Sequence, residues 1–193
     1  MSTMRDANDG ATAGIWSRDS RRPTWSCRQT SDRDEQADSA ARRGGDKSVR
    51  IGATRLGKGL FARRRYPAEA VIGEIAGQVI DDPYYGSDYC MNIGDGRVLE
   101  PASPFRYLNH RCEPNCEFDF FDLQDAGITP TRRRVFLIAL REIKPGEELT
   151  IAYNWPASFA IPCRCRAPSC RGWIVDPAQW DALMARLAAQ DIG

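Results

Sequence analysis

The sequence predicts a mostly β fold that ends in one helix. Short β-branched and aliphatic runs, of which residues 134–140 are the clearest, alternate with glycine-containing turns over most of the chain. Only the end of the chain has apolar residues at helical spacing. The 193 residues are enough for one domain with a substantial core.

The N-terminal part has the composition of a disordered segment. Residues 1–48 contain no Leu, Val or Phe, and their large apolar side chains, such as Trp16 and Trp25, are isolated among polar residues. Such a segment cannot bury enough apolar surface to offset the entropy lost on ordering. We therefore expect residues 1–48 to form a disordered tail, and the folded part to begin near Val49.

The strands follow from local runs and turn signals. The predicted strands cover residues 49–51, 55–62, 70–80 (two strands broken by glycine), 89–93, 97–100, 134–140 and 148–153. Turns are predicted at residues 83–87, around Gly94-Asp95-Gly96 and at Lys144-Pro145-Gly146.

The helix is predicted from its start signals and its apolar stripe. Asp176 can cap the N-terminus, and Pro177 suits the first helical position. The apolar residues that share one face are Trp180, Leu183, Met184 and Leu187. We expect an amphipathic helix over residues 177–190, within a C-terminal segment of residues 177–193.

Composition narrows the class of protein. The 27 Lys and Arg balance 26 Asp and Glu, so no global attraction to nucleic acid or to an anionic membrane is expected, and direct nucleic-acid binding is not predicted. No apolar run is long enough to span a bilayer, and the N-terminus lacks the apolar core of a secretory signal. These features predict an intracellular, cytoplasmic protein whose seven cysteines are reduced thiols.

Three cysteines are spaced closely enough to hold a metal ion. Cys163, Cys165 and Cys170 lie within eight residues, and a structural zinc site is usually completed by a fourth ligand. The candidates for that ligand are Cys112 and Cys116, some fifty residues upstream. The alternative is three free thiols in an arginine-rich loop, which the density of cysteines disfavours.

The other distinctive residues are ambiguous when they are considered one at a time. His110 is the only histidine, so a histidine-rich catalytic metal site is excluded, and a single histidine is usually structural. Tyr153, at the end of a predicted strand, is most often a core or rim residue. The glycines of Gly57-Lys58-Gly59 usually mark a turn, and they complete neither a dinucleotide-binding nor a phosphate-binding motif.

Taken together and in order, these stretches resemble the SET-domain protein lysine methyltransferases. The matching motifs are residues 57–62 (GKGLFA), 106–116 (RYLNHRCEPNC) and 146–153 (GEELTIAY), with the cysteines at 163–170 similar to a post-SET zinc cluster. The resemblance covers roughly residues 49–176. It implies a SET (β-clip) fold in which the tyrosine strand threads beneath the asparagine-histidine loop to form a pseudoknot.

The resemblance divides the chain and assigns its site residues. It implies a SET domain at residues 49–157 and a post-SET zinc segment at 158–176, followed by the C-terminal helix. The implied catalytic residues are Tyr153 and Tyr89, the latter lining a lysine channel. The implied cofactor-binding residues are Lys58, Gly59, Leu60, Arg106, Asn109, His110 and Trp173. The implied zinc ligands are Cys112, Cys163, Cys165 and Cys170, so Cys112 is favoured over Cys116.

The implied activity is protein lysine N-methylation by S-adenosylmethionine, with structural Zn²⁺. The methyl group would pass in line to a deprotonated lysine in an aromatic channel that disfavours the charged amine. The partner would be a protein with a target lysine, either a histone-like tail or another protein, and a eukaryotic host would imply nuclear or chromatin association. The alternative is a catalytically silent SET module that binds cofactor or peptide.

Three positions depart from the family pattern. Arg111 replaces a usual small serine, Lys58 replaces a frequent aromatic residue, and Ile151 occupies a position often filled by Tyr or Phe. That last position helps to set how many methyl groups are added, so the sequence leaves the product state open.

Overall fold

The computed structural model describes residues 48–82, 84–123 and 132–190. Twelve strands and one α-helix lie in these ranges. The strands are β1 (Val49–Thr54), β2 (Gly57–Ala62), β3 (Val71–Glu74), β4 (Gly77–Ile80), β5 (Met91–Gly94), β6 (Arg97–Pro101), β7 (Asn109–His110), β8 (Cys116–Leu123), β9 (Arg132–Ala139), β10 (Glu148–Ile151), β11 (Ile161–Pro162) and β12 (Trp173–Ile174). The helix, α1, covers Trp180–Gln190. The prediction of a mostly β fold with a C-terminal helix is confirmed.

The two-residue strands β7, β11 and β12 were not predicted, and two larger differences concern β8 and the start of the helix. Strand β8 was not predicted, because its acidic residues lower the local strand propensity although they alternate with Cys116 and Phe118. The C-terminal helix starts with a 3₁₀ turn over Pro177–Gln179, which Asp176 caps through the N–H of Ala178 at 2.9 Å. The predicted tail, residues 1–48, lies outside the described ranges except for its last residue, and the turn predicted at 83–87 lies partly outside them.

Strand β10 lies at the centre of the fold. It pairs antiparallel with β2 on one edge and parallel with β7 on the other, in the sheet order β1-β2-β10-β7. Two three-stranded sheets, β3-β9-β8 and β4-β6-β5, and the small ribbon β11-β12 surround this sheet. Strand β10 is thus inserted between β2 and β7, which come from two distant parts of the chain, as the predicted pseudoknot requires.

One buried amide holds β10 in place beyond its strand pairing. The Asn115 side chain donates to the carbonyl of Glu148 at 2.8 Å and accepts from the backbone N–H of Thr150 at 2.8 Å. Asn115 is 4% exposed. Because a buried backbone group without a partner is costly, this side chain replaces the strand partner that β10 lacks at this point.

The apolar core has two parts. The main cluster fills the space between the sheets and includes Leu60, Leu137 and Leu149, each of which is fully buried. In a second cluster, Leu183 of α1 packs with Ala157 and Ala160 from the segment before β11 and with Val175 directly after β12. No helix among the described residues is both long and apolar enough to cross a membrane.

Candidate functional site

The phenol of Tyr153 lies against the loop that contains Asn109 and His110. Its hydroxyl donates to the carbonyl oxygen of Leu108 at 2.5 Å, and its ring stacks on Trp155 with 5.6 Å between the ring centroids. The parallel pairing of β10 with β7, two residues before Tyr153, determines this position. Burial and the nearby Tyr89 raise the pKa of Tyr153 to about 12, so the phenol keeps its proton at physiological pH.

Asn109 joins three elements at one point. Its side-chain amide donates to the carbonyl of Lys58 at 3.0 Å and to Oε1 of Glu148 at 2.7 Å. A Cβ atom on Gly59 would lie 2.5 Å from Cγ2 of Thr54 and 2.6 Å from Oε1 of Glu148. Glycine at this position is therefore what allows β2 to approach Asn109 and Glu148 so closely.

His110 is buried, and each of its ring nitrogens has a neighbour. Nδ1 accepts the backbone N–H of Tyr153 at 3.0 Å, and Nε2 lies 3.4 Å from Sγ of Cys112. Burial, together with Arg171, lowers the pKa of His110 to about 4. The imidazole is therefore neutral near pH 7, and Nδ1 is the nitrogen without a proton.

A cleft opens beside Asn109 and His110. Its empty volume, part of which is open to solvent, is about 420 Å³. The side chains that line it are Thr54, Arg55, Leu56, Asn109, His110, Arg111, Glu148, Thr150 and Cys165. The cleft thus combines cationic, anionic and amide groups, which suits a ligand with both charged and hydrogen-bonding groups.

The C-terminal cysteines meet the asparagine-histidine loop. Sγ of Cys112 lies 3.7 Å from Sγ of Cys163 and 3.9 Å from Sγ of Cys170. The backbone N–H of Cys112 also points at Sγ of Cys165, 3.5 Å away. A tetrahedral zinc ion with Zn–S bonds of about 2.3 Å requires sulfur atoms about 3.8 Å apart. The two sulfur–sulfur distances from Cys112 match this spacing.

The surroundings of these thiols shift their pKa values in opposite directions. Burial tends to raise the pKa of Cys165, but N–H groups of Cys112 and Ala167 outweigh it, so the pKa falls to about 6. Burial raises the pKa of the Cys163 thiol. The alternative ligand Cys116 lies elsewhere: it is fully buried in the main core, and its sulfur contacts Oδ1 of Asn115 at 3.4 Å.

The two other predicted residues near Tyr153 form a separate group. The Arg106 guanidinium lies 4.2 Å from the centre of the Tyr89 ring and 3.7 Å from Oε1 of Glu100. The Tyr89 ring also packs edge-on against the Tyr107 ring, with 6.3 Å between the ring centroids. Arg106 was predicted to bind cofactor, but its described contacts are with the aromatic side of the site, and it does not line the cleft beside Asn109.

The remaining predicted cofactor residues occupy different surroundings. The Lys58 ammonium lies 4.9 Å from the centre of the Tyr107 ring, and Leu60 is fully buried in the core. Trp173 lies on β12 and packs against the second apolar cluster. Hence only Asn109 and His110 of the predicted cofactor residues line the cleft, while Lys58 and Gly59 adjoin it through the backbone.

Three residues that shape the site were not predicted from the sequence. Trp155 stacks on the Tyr153 ring, and the carbonyl of Leu108 accepts a hydrogen bond from the Tyr153 hydroxyl. The carboxylate of Glu148 accepts a hydrogen bond from the side-chain amide of Asn109. Trp155 follows Tyr153 by two residues, a spacing that places both on one side of an extended chain, and this signal could have identified it. The other two act through contacts that no local pattern reveals.

Comparison with known proteins finds similarity to SET-domain histone-lysine methyltransferases. A family profile described as SET domain matches residues 57–154. The histone-lysine N-methyltransferase ash1 of Drosophila melanogaster is 39% identical over 97 residues, which cover 47% of this chain and 4% of that protein. A histone-lysine N-methyltransferase of Kluyveromyces lactis, H3 lysine-4 specific, is 30% identical over 135 residues, covering 60% of this chain and 13% of that protein. The chain thus spans only a small part of these relatives.

Among solved structures, KRYPTONITE in complex with mCHG DNA and SAH superposes with a TM-score of 0.57 at 23% identity. The match covers 65% of this chain and 28% of KRYPTONITE. At this level of identity the likeness establishes the fold.

Proposed function

The chain belongs to the SET-domain family, and from this membership we propose that it is a protein lysine N-methyltransferase that uses S-adenosylmethionine. The observation that carries the proposal is the position of Tyr153, whose protonated phenol is held under the asparagine-histidine loop by the pairing of β10 with β7. The names of the relatives, which are histone-lysine N-methyltransferases, support the same reaction.

The cofactor site is proposed along the cleft beside Asn109 and His110. The close approach of β2 at Gly59 and the mixed polar lining of the cleft suit a zwitterionic nucleoside, and the SAH in the KRYPTONITE complex supports this ligand class. Asn109, His110 and the backbone of residues 58–60 would make the first contacts. Arg106 and Trp173, which do not line the cleft, would contribute only from its edges.

The chemistry of the proposed reaction is an in-line methyl transfer. S-adenosylmethionine supplies a methyl group on a positively charged sulfur, so the sulfur–carbon bond breaks as the bond to a neutral lysine nitrogen forms. The protein then needs mainly to align the amine and exclude its charged form. The Tyr153 hydroxyl donates its hydrogen bond to the carbonyl of Leu108, so the phenol oxygen is available to accept a hydrogen bond from an N–H of the amine. Tyr89 would line the aromatic channel through which the lysine enters.

Zinc is proposed as a structural ion held by Cys112, Cys163, Cys165 and Cys170. It would join the loop after His110 to the segment between β11 and β12, which the hydrogen bond from the Ser169 N–H to Glu113 also connects at 2.9 Å. A closed tetrahedral site of four thiolates leaves no position for substrate. The ion would therefore stabilise one wall of the cleft.

The proposed partner is a protein that presents a lysine, either a histone tail or another protein. The names of the relatives support a histone substrate, and with it a nuclear or chromatin location in a eukaryotic host. The domain limits proposed from the sequence, 49–157 and 158–176, enclose the matched residues 57–154 and the cysteine cluster.

Two measurements on the zinc-loaded chain test this function. Calorimetry should show binding of S-adenosylmethionine, and labelled cofactor should transfer its methyl group to lysine in a mixture of basic proteins. Binding without transfer to any protein would instead favour the silent module. Zinc binding without cofactor binding would contradict both interpretations.

A further inference from the structure

We propose that His110 is a positioning residue that links the cysteine cluster to the strand of Tyr153. In this role Nε2–H donates to the sulfur of Cys112, while Nδ1 accepts the backbone N–H of Tyr153. The role differs from the cofactor contact proposed for the same residue. It rests on the proposed zinc site but not on methyl transfer.

The hydrogen bond to Tyr153 determines which nitrogen carries the proton. A backbone N–H can only donate, so the Nδ1 atom that lies 3.0 Å from it must present a lone pair. The proton of the neutral ring is then on Nε2, which lies 3.4 Å from Sγ of Cys112. A nitrogen that carries a proton in the ring plane has no lone pair for a metal ion, so Nε2 is a donor to sulfur.

The tautomer of His110 decides between two possible ligand sets. The ligand atoms of His110, Cys112, Cys163 and Cys165 all lie within 4.8 Å of one another, and Sγ of Cys170 lies 3.9 Å from Sγ of Cys112. Coordination through Nε2 would move the proton to Nδ1, where it would face the Tyr153 N–H. The geometry therefore assigns the fourth position to Cys170 and places His110 outside the ligand set.

The consequence is that the His110 ring connects the metal ligand Cys112 to the backbone of Tyr153. A thiolate bound to a metal ion still accepts hydrogen bonds, and partners of this kind orient ligands and tune the metal. The His110 ring, fixed by the sulfur at one edge, fixes the N–H of Tyr153 at the other. The centroids of the two rings are 5.5 Å apart. Metal occupancy and the placement of the phenol are thus coupled through a single side chain.

Two substitutions of His110 test the roles of its two ring nitrogens separately. In His110→Asn the side-chain oxygen can occupy the position of Nδ1 and accept from Tyr153, but no donor reaches Cys112. In His110→Gln the amide nitrogen can occupy the position of Nε2 and donate to Cys112, but the acceptor for Tyr153 is lost. The pair therefore forms a matched test, with each variant serving as the control for the other.

The measurements use the full chain loaded with Co²⁺ in place of zinc. In His110→Asn the sulfur-to-cobalt charge-transfer band should move to lower energy, because the thiolate loses a hydrogen bond, and metal affinity should fall about 10- to 100-fold. In His110→Gln the band should stay at the wild-type position. By nuclear magnetic resonance, the Tyr153 amide proton should keep its wild-type shift in His110→Asn and move upfield in His110→Gln.

An identical charge-transfer band and affinity in all three proteins would overturn the proposal. So would a wild-type cobalt spectrum with one nitrogen ligand that disappears in both variants. Should His110→Asn fail to fold, His110→Gln decides alone: an unchanged band with a shifted Tyr153 amide supports the link, and a shifted band contradicts it. None of these measurements requires methyl transfer, so failure here is distinguishable from failure of the proposed function.

Discussion

The hydroxyl of Tyr153 and the carbonyl of Leu108 are 2.5 Å apart, although 45 residues separate them in the chain. The contact exists because β10 runs parallel to β7, which begins directly after Leu108. The proton of the phenol is thereby directed into the protein. The strand pairing therefore sets both the place and the hydrogen-bonding direction of the proposed catalytic group.

The raised pKa of Tyr153 predicts a distinct alkaline titration. The difference in ultraviolet absorbance between wild type and Tyr153→Phe should show ionisation near pH 12, whereas an ordinary tyrosine ionises near 10. The unfolded chain loses this proton at the lower pH, so the stabilisation is complete below pH 10 and is lost as pH rises towards 12. A difference titration centred near pH 10 would contradict the described burial of the phenol.

Gly59→Ala should weaken cofactor binding strongly. The added methyl group would lie 2.5 Å from Thr54 Cγ2 and 3.0 Å from Asn109 Nδ2, so either these side chains, which line the cleft, or β2 itself must shift. Calorimetry with S-adenosylmethionine measures the effect, and we expect a loss of at least about tenfold, or 1.4 kcal/mol.

Gly96→Ala is the control for this substitution. Its φ of +72° makes any side chain unfavourable, but no atom lies within 4 Å of the added carbon. It should lower stability while leaving cofactor affinity unchanged. Equal cofactor affinity in the Gly59 variant and wild type would argue against a site beside β2.

Cys165→Ser should release zinc and weaken cofactor binding, because the segment between β11 and β12 would lose its metal link to the loop at Cys112. Metal analysis should show about one zinc per chain in wild type and little in the variant. Cys90→Ser is the matched control, since the described contacts of Cys90 are with Ser87 rather than with the cluster. An unchanged zinc content in the Cys165 variant would rule out this ligand set.

Asn115→Ala should destabilise the fold more than an exposed asparagine does. It would leave the buried Glu148 carbonyl and Thr150 N–H without partners, at about 1–3 kcal/mol each. Asn92→Ala, which removes an exposed contact to the Gly94 N–H, should cost under about 1 kcal/mol. Urea unfolding measures both variants, and similar losses would show that Asn115 does not hold β10.

Much of the fold was predictable because its signals are local. The aliphatic run in β9, the glycine turn before β10 and the Asp176-Pro177 start of the helical segment each specify their element within a few residues. The family motif added the long-range proximity of Cys112 to the C-terminal cysteines, which spacing alone had left open between Cys112 and Cys116.

The missed features depend on tertiary contacts. Asn115 acts on residues 33 and 35 positions away, and the carbonyl of Leu108 offers no signal in its side chain. Arg106 could have faced either side of the site, and its position over Tyr89 depends on where Glu100 lies in β6. Such orientations follow from packing that no local pattern encodes.

The most direct test of the account is the rate of lysine methylation by wild type and by Tyr153→Phe. The zinc-loaded full chain would be incubated with S-adenosylmethionine and basic proteins, and methylated lysine would be quantified by mass spectrometry. We expect methylation by wild type and a rate lower by about 10²–10³-fold in the variant, with cofactor binding retained. Equal rates in the two proteins, or no methylated lysine from a wild type that binds both zinc and cofactor, would contradict it.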